Sequence, residues 1–128
     1  MSTPDSSHKK ILVVDDDMMA VRMTEGRLKA NGYNVQTAND APQGLEMAMK
    51  DKPDLIILDV MMPIVNGYNF CRLLKQDIHH RKIPVILLTS RAEEADIEIG
   101  HEVGADAYLT KPVDIEELLG KVKELLGP

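Results

Sequence analysis

Residues 11–17 read ILVVDDD: four apolar residues, two of them β-branched valines, run straight into Asp15, Asp16 and Asp17. A continuous apolar run of this length is the pattern of a strand buried on both faces, as in a parallel sheet covered by helices. Two more such runs follow, LIIL at 55–58 ending in Asp59 and PVILL at 84–88 ending in Thr89. Neighbouring carboxylates repel one another. Acids crowded at the end of a core strand therefore either face open water or surround a cation.

Helical signals lie between the strands. Residues 18–31 are predicted helical and stopped by Asn31-Gly32, with Gly26 weakening that helix by about 1 kcal/mol relative to alanine. Asp40 and Gln43 open a helix over 41–50, which Lys52-Pro53 breaks. Asn66-Gly67 leads into a third helix, with Phe70, Leu73, Leu74 and Ile78 at helical spacing. A polar helix is predicted over 93–103. The last helix carries the stripe Ile115, Leu118, Leu119, Val122, Leu125 and Leu126, behind Asp114 as cap and Glu117 at its third position. Short strands are predicted at 33–37 and 107–109, the latter ending at Thr110-Lys111-Pro112. Five strands alternating with five helices predict an α/β fold: right-handed crossovers and a doubly wound parallel sheet. Residues 1–8 are polar and predicted to be a disordered leader, which leaves residues 9–128 as one domain.

Composition narrows the function. With 15 basic against 21 acidic residues and a net charge of -6, the chain lacks the basic surface that nucleic acid or an anionic membrane requires. Cys71 is the single cysteine, so no internal disulfide forms, which fits a reducing, cytoplasmic compartment. The N-terminus carries no apolar run of the signal-peptide or anchor type, and no stretch approaches the roughly 20 apolar residues of a membrane span.

Parallel strands bring their carboxyl ends to one edge, where open α/β sheets bind ligands. Here that edge collects Asp15 and Asp16, Asp59, Thr89 and Lys111. Clustered carboxylates are a hard oxygen site that suits Mg²⁺, with Mn²⁺ as a substitute, better than zinc or copper. Mg²⁺ commonly joins carboxylates to a phosphoryl group, and a carboxylate can itself be the nucleophile that forms an aspartyl phosphate. A hydroxyl and an ammonium are the groups to contact the remaining phosphoryl oxygens. An Asp after a strand is also a common helix cap, and Asp17 reads best in that role.

At these residues the chain resembles the receiver domain of two-component response regulators. The resemblance runs from about Lys10 to Leu126 and is most specific at VVDDD (13–17), DLIILDVMMP (54–63) with Asn66-Gly67, PVILLTS (84–90) and GADAYLTKP (104–112). It implies a flavodoxin-like (βα)5 sheet of order 2-1-3-4-5. It also implies that Asp59 accepts a phosphoryl group from a phosphohistidine of a histidine kinase or phosphotransfer protein. Asp16, Asp59 and the Met61 backbone carbonyl would bind Mg²⁺, with Asp15 acting through water. Lys111 would pair with the phosphoryl group, Thr89 would shift toward it and Tyr108 would follow as the switch aromatic. The surface of the fourth helix, fifth strand and fifth helix would signal to an effector protein. A cis peptide is implied at Lys111-Pro112. The chain would be a switch rather than an enzyme, monomeric before phosphorylation. It would act as a stand-alone receiver or as part of a longer regulator.

Departures from the common pattern carry expectations of their own. Ser90 stands where alanine or glycine is more usual and is small enough to leave phosphoryl access intact, while the bulky Met61 and Arg91 occupy positions that tune phosphoryl lifetime in this family, which favours slow self-dephosphorylation. Ala107, Lys121 and Lys123 argue against the charge-paired dimer of the transcription-factor branch. Glu93, Glu94, Asp96, Glu98 and Glu102 form an acidic docking face or a solvated helix surface. Met18, Met19 and Met23 lie on the side where kinases dock, some of them in the core. His79-His80 reads as a surface pair, and Cys71 as inert. An aspartyl phosphatase would need a second acid where Met61 stands. An inactive module would have lost the acids or the lysine, and a nucleotide-binding domain would show a glycine-rich loop after the first strand.

Overall fold

The computed structural model describes residues 9–61, 66–89 and 103–127. Its strands are β1 (Lys10–Val14), β2 (Asn34–Ala38), β3 (Leu55–Asp59), β4 (Val85–Thr89) and β5 (Ala107–Thr110). Helices α1 (Met18–Ala30), α2 (Ala41–Asp51) and α3 (Gly67–Gln76) alternate with them, and Ile115–Leu126 forms the C-terminal helix. All neighbouring strands are parallel and the sheet order is β2-β1-β3-β4-β5. The fold class and strand order are those expected from the sequence.

Successive residues of a strand point to opposite faces, and the apolar runs divide accordingly. Leu12, Val14, Ile56, Leu58, Val85 and Leu87 join one core layer, against Ala48 of α2 and Phe70, Cys71 and Leu74 of α3. Ile11, Val13, Leu55, Ile57, Ile86 and Leu88 join the other, against Val21 and Leu28 of α1 and Leu118 and Val122 of the C-terminal helix. Complete burial of each such side chain contributes about 1.5–3 kcal/mol. An unbroken apolar strand is therefore what a two-layered core demands. At Gly44 a Cβ would stand 2.8 Å from both methyl carbons of Val14, so α2 approaches β1 as closely as it does only with glycine there.

Caps set the helix ends. Asp40 accepts from the Gln43 amide at 2.7 Å, and Asp114 from the Glu116 amide at 2.9 Å. Lys52 closes α2 in the left-handed region, φ 45°.

Several expectations need correction. Helix α3 ends at Gln76, before Ile78, and its buried face is Gly67, Phe70, Cys71 and Leu74, while Leu73 and Ile78 are exposed. His80 is buried rather than on the surface: Nε2 lies 3.0 Å from the Met49 carbonyl and Nδ1 3.0 Å from Asp77 Oδ2. The turn after α3 folds back onto the end of α2, which a pair of histidines in a polar loop does not reveal. Met18, Met19 and Met23 are all exposed, and none joins the core. Strand β2 begins at Asn34, not Tyr33, with the Asn34 amide on the Lys9 carbonyl at 3.0 Å. The leader at 1–8, residues 93–102 of the helix expected over 93–103, Ser90 and Arg91 lie outside the described residues, and Val103 itself is in a turn.

Candidate functional site

The carboxyl edge of the sheet is built from strand ends and the turns that follow them. Asp17 caps α1, accepting from the Met19 and Ala20 amides at 3.0 and 3.3 Å. Its own amide donates to Asp15 Oδ1 at 2.9 Å, so the cap also orients the neighbouring acid. Asp15 is buried, while Asp16 projects into solvent. Asp59, the last residue of β3, is buried, and the Met61 amide reaches its Oδ1 at 3.4 Å. One carboxylate oxygen from each of Asp15, Asp16 and Asp59 lies within 4.8 Å of the others.

Lys111 enters this cluster from the far side. Its Nζ stands 3.1 Å from Asp15 Oδ2 and 3.1 Å from Asp59 Oδ1. The position of this lysine follows from pairing: Thr89 faces Thr110 across the β4–β5 ladder, and the Lys111 amide donates to the Thr89 carbonyl at 2.6 Å. Thr89 is fully buried at the end of β4. The Lys111-Pro112 peptide is cis. Tyr108, half-buried on β5, meets the hydroxyl of Tyr68 at 3.2 Å.

The electrostatics are unbalanced. Burial pushes the Asp59 carboxyl above its ordinary pKa and the charge of Asp15 pushes it further, while Lys111 and the Met61 amide pull it back without cancelling the rise. Burial alone would lower the pKa of Lys111, but its contacts with Asp59 and Asp15 outweigh that and raise it. Lys111 is therefore a fixed cation, and among the described residues it contacts two of the three clustered carboxylates, Asp15 and Asp59, while Asp16 stays exposed. Oxygen donors in this number with surplus negative charge fit a hard divalent cation.

Beside the cluster, a groove of about 540 Å³ runs between α1 and the segment after β5, past Ala20, Met23, Arg27, Pro112 and Ile115. Met23 in its lining is 70% exposed, and Met18 and Met19 at the start of α1 are 47% and 75% exposed.

Sequence reasoning named the acids, the threonine and the lysine of this edge, but not two close supports. At Gly67 a Cβ would stand 2.7 Å from the Asp59 carbonyl oxygen, so α3 can start against the end of β3 only with glycine there. The Asn66-Gly67 pair signalled a helix start and not this contact. Tyr68 gave no signal, because its partner lies forty residues away on β5.

A doubly wound five-stranded parallel sheet with an acidic cluster at its carboxyl edge defines the class: an α/β domain of flavodoxin-like strand order. The sequence profile of the response regulator receiver domain matches residues 11–123, and the chain belongs to that family. Response regulator PleD of Caulobacter vibrioides (strain NA1000 / CB15N) is 47% identical over 116 residues, 91% of this chain and 26% of that protein. The alkaline phosphatase synthesis transcriptional regulatory protein PhoP of Bacillus subtilis (strain 168) is 43% identical over 119 residues, 93% of this chain and 49% of that protein. The chain thus spans about a quarter to a half of these two curated relatives. Among solved structures, the receiver domain of a sensor histidine kinase from Pseudomonas aeruginosa PAO1 has a TM-score of 0.86 at 29% identity, covering 94% of this chain and 99% of that one. That structure carries a magnesium ion coordinated in its active site cleft. Among the described residues, no helix is long and apolar enough to cross a membrane.

Proposed function

We propose that this chain is the phosphorylation-dependent switch of a two-component phosphorelay and that Asp59 is its phosphoacceptor. The observation that carries the reading is Lys111 Nζ at 3.1 Å from both the Asp15 and Asp59 carboxylates, within a cluster of three acids. Asp15, Asp16 and Asp59, with the Met61 backbone carbonyl, are the groups that would hold Mg²⁺. Once bound, the ion offsets carboxylate repulsion and charge on the phosphoryl oxygens.

An Asp59 carboxylate oxygen attacks the phosphorus of a phosphohistidine. The O–P bond forms as the P–N bond breaks, and the imidazole nitrogen keeps the electron pair and takes up a proton. Lys111, always cationic here, passes from the carboxylate to the phosphoryl oxygens. Thr89, whose carbonyl is tied to the Lys111 amide, donates its hydroxyl to the same group, and Tyr108 follows. Shifting a two-state equilibrium from 1:99 to 99:1 takes about 5.5 kcal/mol. Two hydrogen bonds to a charged group, at about 1.5–3 kcal/mol each, are of that order. Exposed Met61, two residues past Asp59, shields the phosphoryl group from water and slows self-dephosphorylation.

The donor is a histidine kinase or phosphotransfer protein, and the surface it would cover is the groove beside α1, lined by exposed Met23, with exposed Met18 and Met19 at the start of that helix. The receiver signals to an effector protein and works in the cytoplasm as a monomer until phosphorylated.

The test is intact mass after incubation with Mg²⁺ and acetyl phosphate. Wild type gains one phosphoryl group, Asp59→Asn gains none, and chelation of Mg²⁺ abolishes the gain. If wild type neither gains mass nor binds beryllofluoride, a stable phosphoryl mimic, the reading is wrong.

A further inference from the structure

We propose that Tyr68 is the anchor of the switch tyrosine. Its hydroxyl holds that of Tyr108 at 3.2 Å in the conformation where Lys111 still grips the unmodified Asp59 carboxylate. The inference rests on the proposed roles of Asp59 and Tyr108, and it adds a positioning residue that acts through Tyr108.

The bond joins the two arms of the site. Tyr68 follows Gly67, whose amide donates to the Val60 carbonyl at 3.0 Å and where an added Cβ would stand 2.7 Å from the Asp59 carbonyl oxygen. The start of α3 is therefore fixed to the strand end that carries the phosphoacceptor. Tyr108 sits opposite Leu87 in the β4–β5 ladder, three residues before Lys111, whose amide is fixed to Thr89. The two hydroxyls thus connect the Asp59 arm to the Thr89–Lys111 arm through side chains half-buried against the core layer of Phe70 and Leu87.

Both phenols are partly removed from water, so a broken bond is only partly replaced by solvent. Rotation of Tyr108 to another position separates the two oxygens, so the bond favours only one of the two conformations. A differential contact of this kind is what shifts a two-state equilibrium. Tyr68 holds Tyr108 back, and phosphorylation must overcome the bond.

The test is a beryllofluoride titration in Mg²⁺ of wild type, Tyr68→Phe, Tyr108→Phe and the double variant, followed by the Lys111 and Gly67 amide chemical shifts. Each substitution removes a single oxygen and keeps the packed ring. Each single variant binds beryllofluoride about five-fold more tightly, the factor that one neutral hydrogen bond of about 1 kcal/mol corresponds to. The double variant gains less than the product of the two single gains, because the bond that the two hydroxyls share is lost once. Unchanged affinity in Tyr68→Phe, even with lower urea resistance, reduces Tyr68 to a structural residue and overturns the proposal. Multiplying effects in the double variant overturn it as well. Wild type that fails to bind beryllofluoride, or Asp59→Asn that binds it equally, instead brings down the phosphoacceptor reading and the anchor with it.

Discussion

The two edges of the sheet both place charge at the margin of the core, and they balance it differently. At the amino edge, Lys75 Nζ lies 3.0 Å from Asp106 Oδ2 and 2.7 Å from the Ile83 carbonyl, and that same Asp106 oxygen accepts from the Val85 amide at 2.8 Å. Asp54 accepts from the Lys10 amide and donates its own amide to the Lys10 carbonyl, both at 2.8 Å. His80 sits between the Met49 carbonyl and Asp77. Acids there meet cations or backbone amides. At the carboxyl edge, among the described residues, one lysine contacts two of three clustered carboxylates. The matched edge ties the start of β1 to that of β3 and the start of β4 to that of β5. The unmatched edge gives up stability and keeps charge in reserve for a cation and a phosphoryl group.

The largest effect is expected where the balance is broken at the amino edge. Asp106→Ala leaves the Val85 amide without its acceptor and Lys75 without its counter-ion, although two carbonyls still hold the ammonium. Urea unfolding should show a loss of about 2 kcal/mol, within the range for a partly buried charge-assisted pair discounted for its solvent contact. Beryllofluoride affinity at the opposite edge should be unchanged. An affinity loss as large as the stability loss would show that the edges are not separable.

Most of the carboxyl edge was legible because its logic is one-dimensional. An apolar run ends, an acid or threonine follows, and a parallel sheet carries each end to the same side. Cap signals such as Asp17, Asp40 and Asp114 are equally local. The parts that could not be read depend on which elements touch across the fold. His80 is buried because the turn after α3 meets the end of α2. Leu73 and Ile78 fit a helical stripe by spacing, yet the face that meets the sheet runs through Phe70, Cys71 and Leu74. Burial on that face lifts the Cys71 thiol to about 11, which keeps it unreactive. The Tyr68–Tyr108 bond needs both the start of α3 and the middle of β5 in place.

The second effect has the opposite sign and sharpens the contrast. Without divalent cation, Asp59→Asn should be more stable than wild type at neutral pH. The gain is about 1 kcal/mol, the size of one carboxylate–carboxylate repulsion at ~5 Å in a water-like dielectric. Mg²⁺ reverses the order. At ten times its dissociation constant it should stabilise wild type by about 1.4 kcal/mol and leave Asp59→Asn almost unmoved. Thermal unfolding with and without Mg²⁺ measures both. A destabilised Asp59→Asn in chelator would mean that the acidic cluster is held together by its lysine and carries no surplus charge.

The smallest effect separates the edges by pH. Burial and Asp15 raise the folded pKa of Asp59, so its ionised form opposes folding. The advantage of Asp59→Asn over wild type is complete above that raised value. It fades as pH falls through the ordinary carboxylate value of about 3.9, below which wild type is protonated in both states. Asp77 is shifted the other way: the His79 amide on its Oδ1 at 2.9 Å comes first, then the contact with His80, and together they lower its pKa. Its ionised form favours folding, a contribution present above about 3.9 and lost as pH drops through the depressed folded value. Asp77→Asn should therefore be slightly less stable than wild type at neutral pH, and the deficit should close only in stronger acid. Urea midpoints of the three proteins, measured from neutral pH downward in chelator, give two difference curves of opposite sign that converge toward zero. Difference curves of the same sign would mean that Asp59 and Asp77 are held alike, and that unmatched charge does not set the carboxyl edge apart.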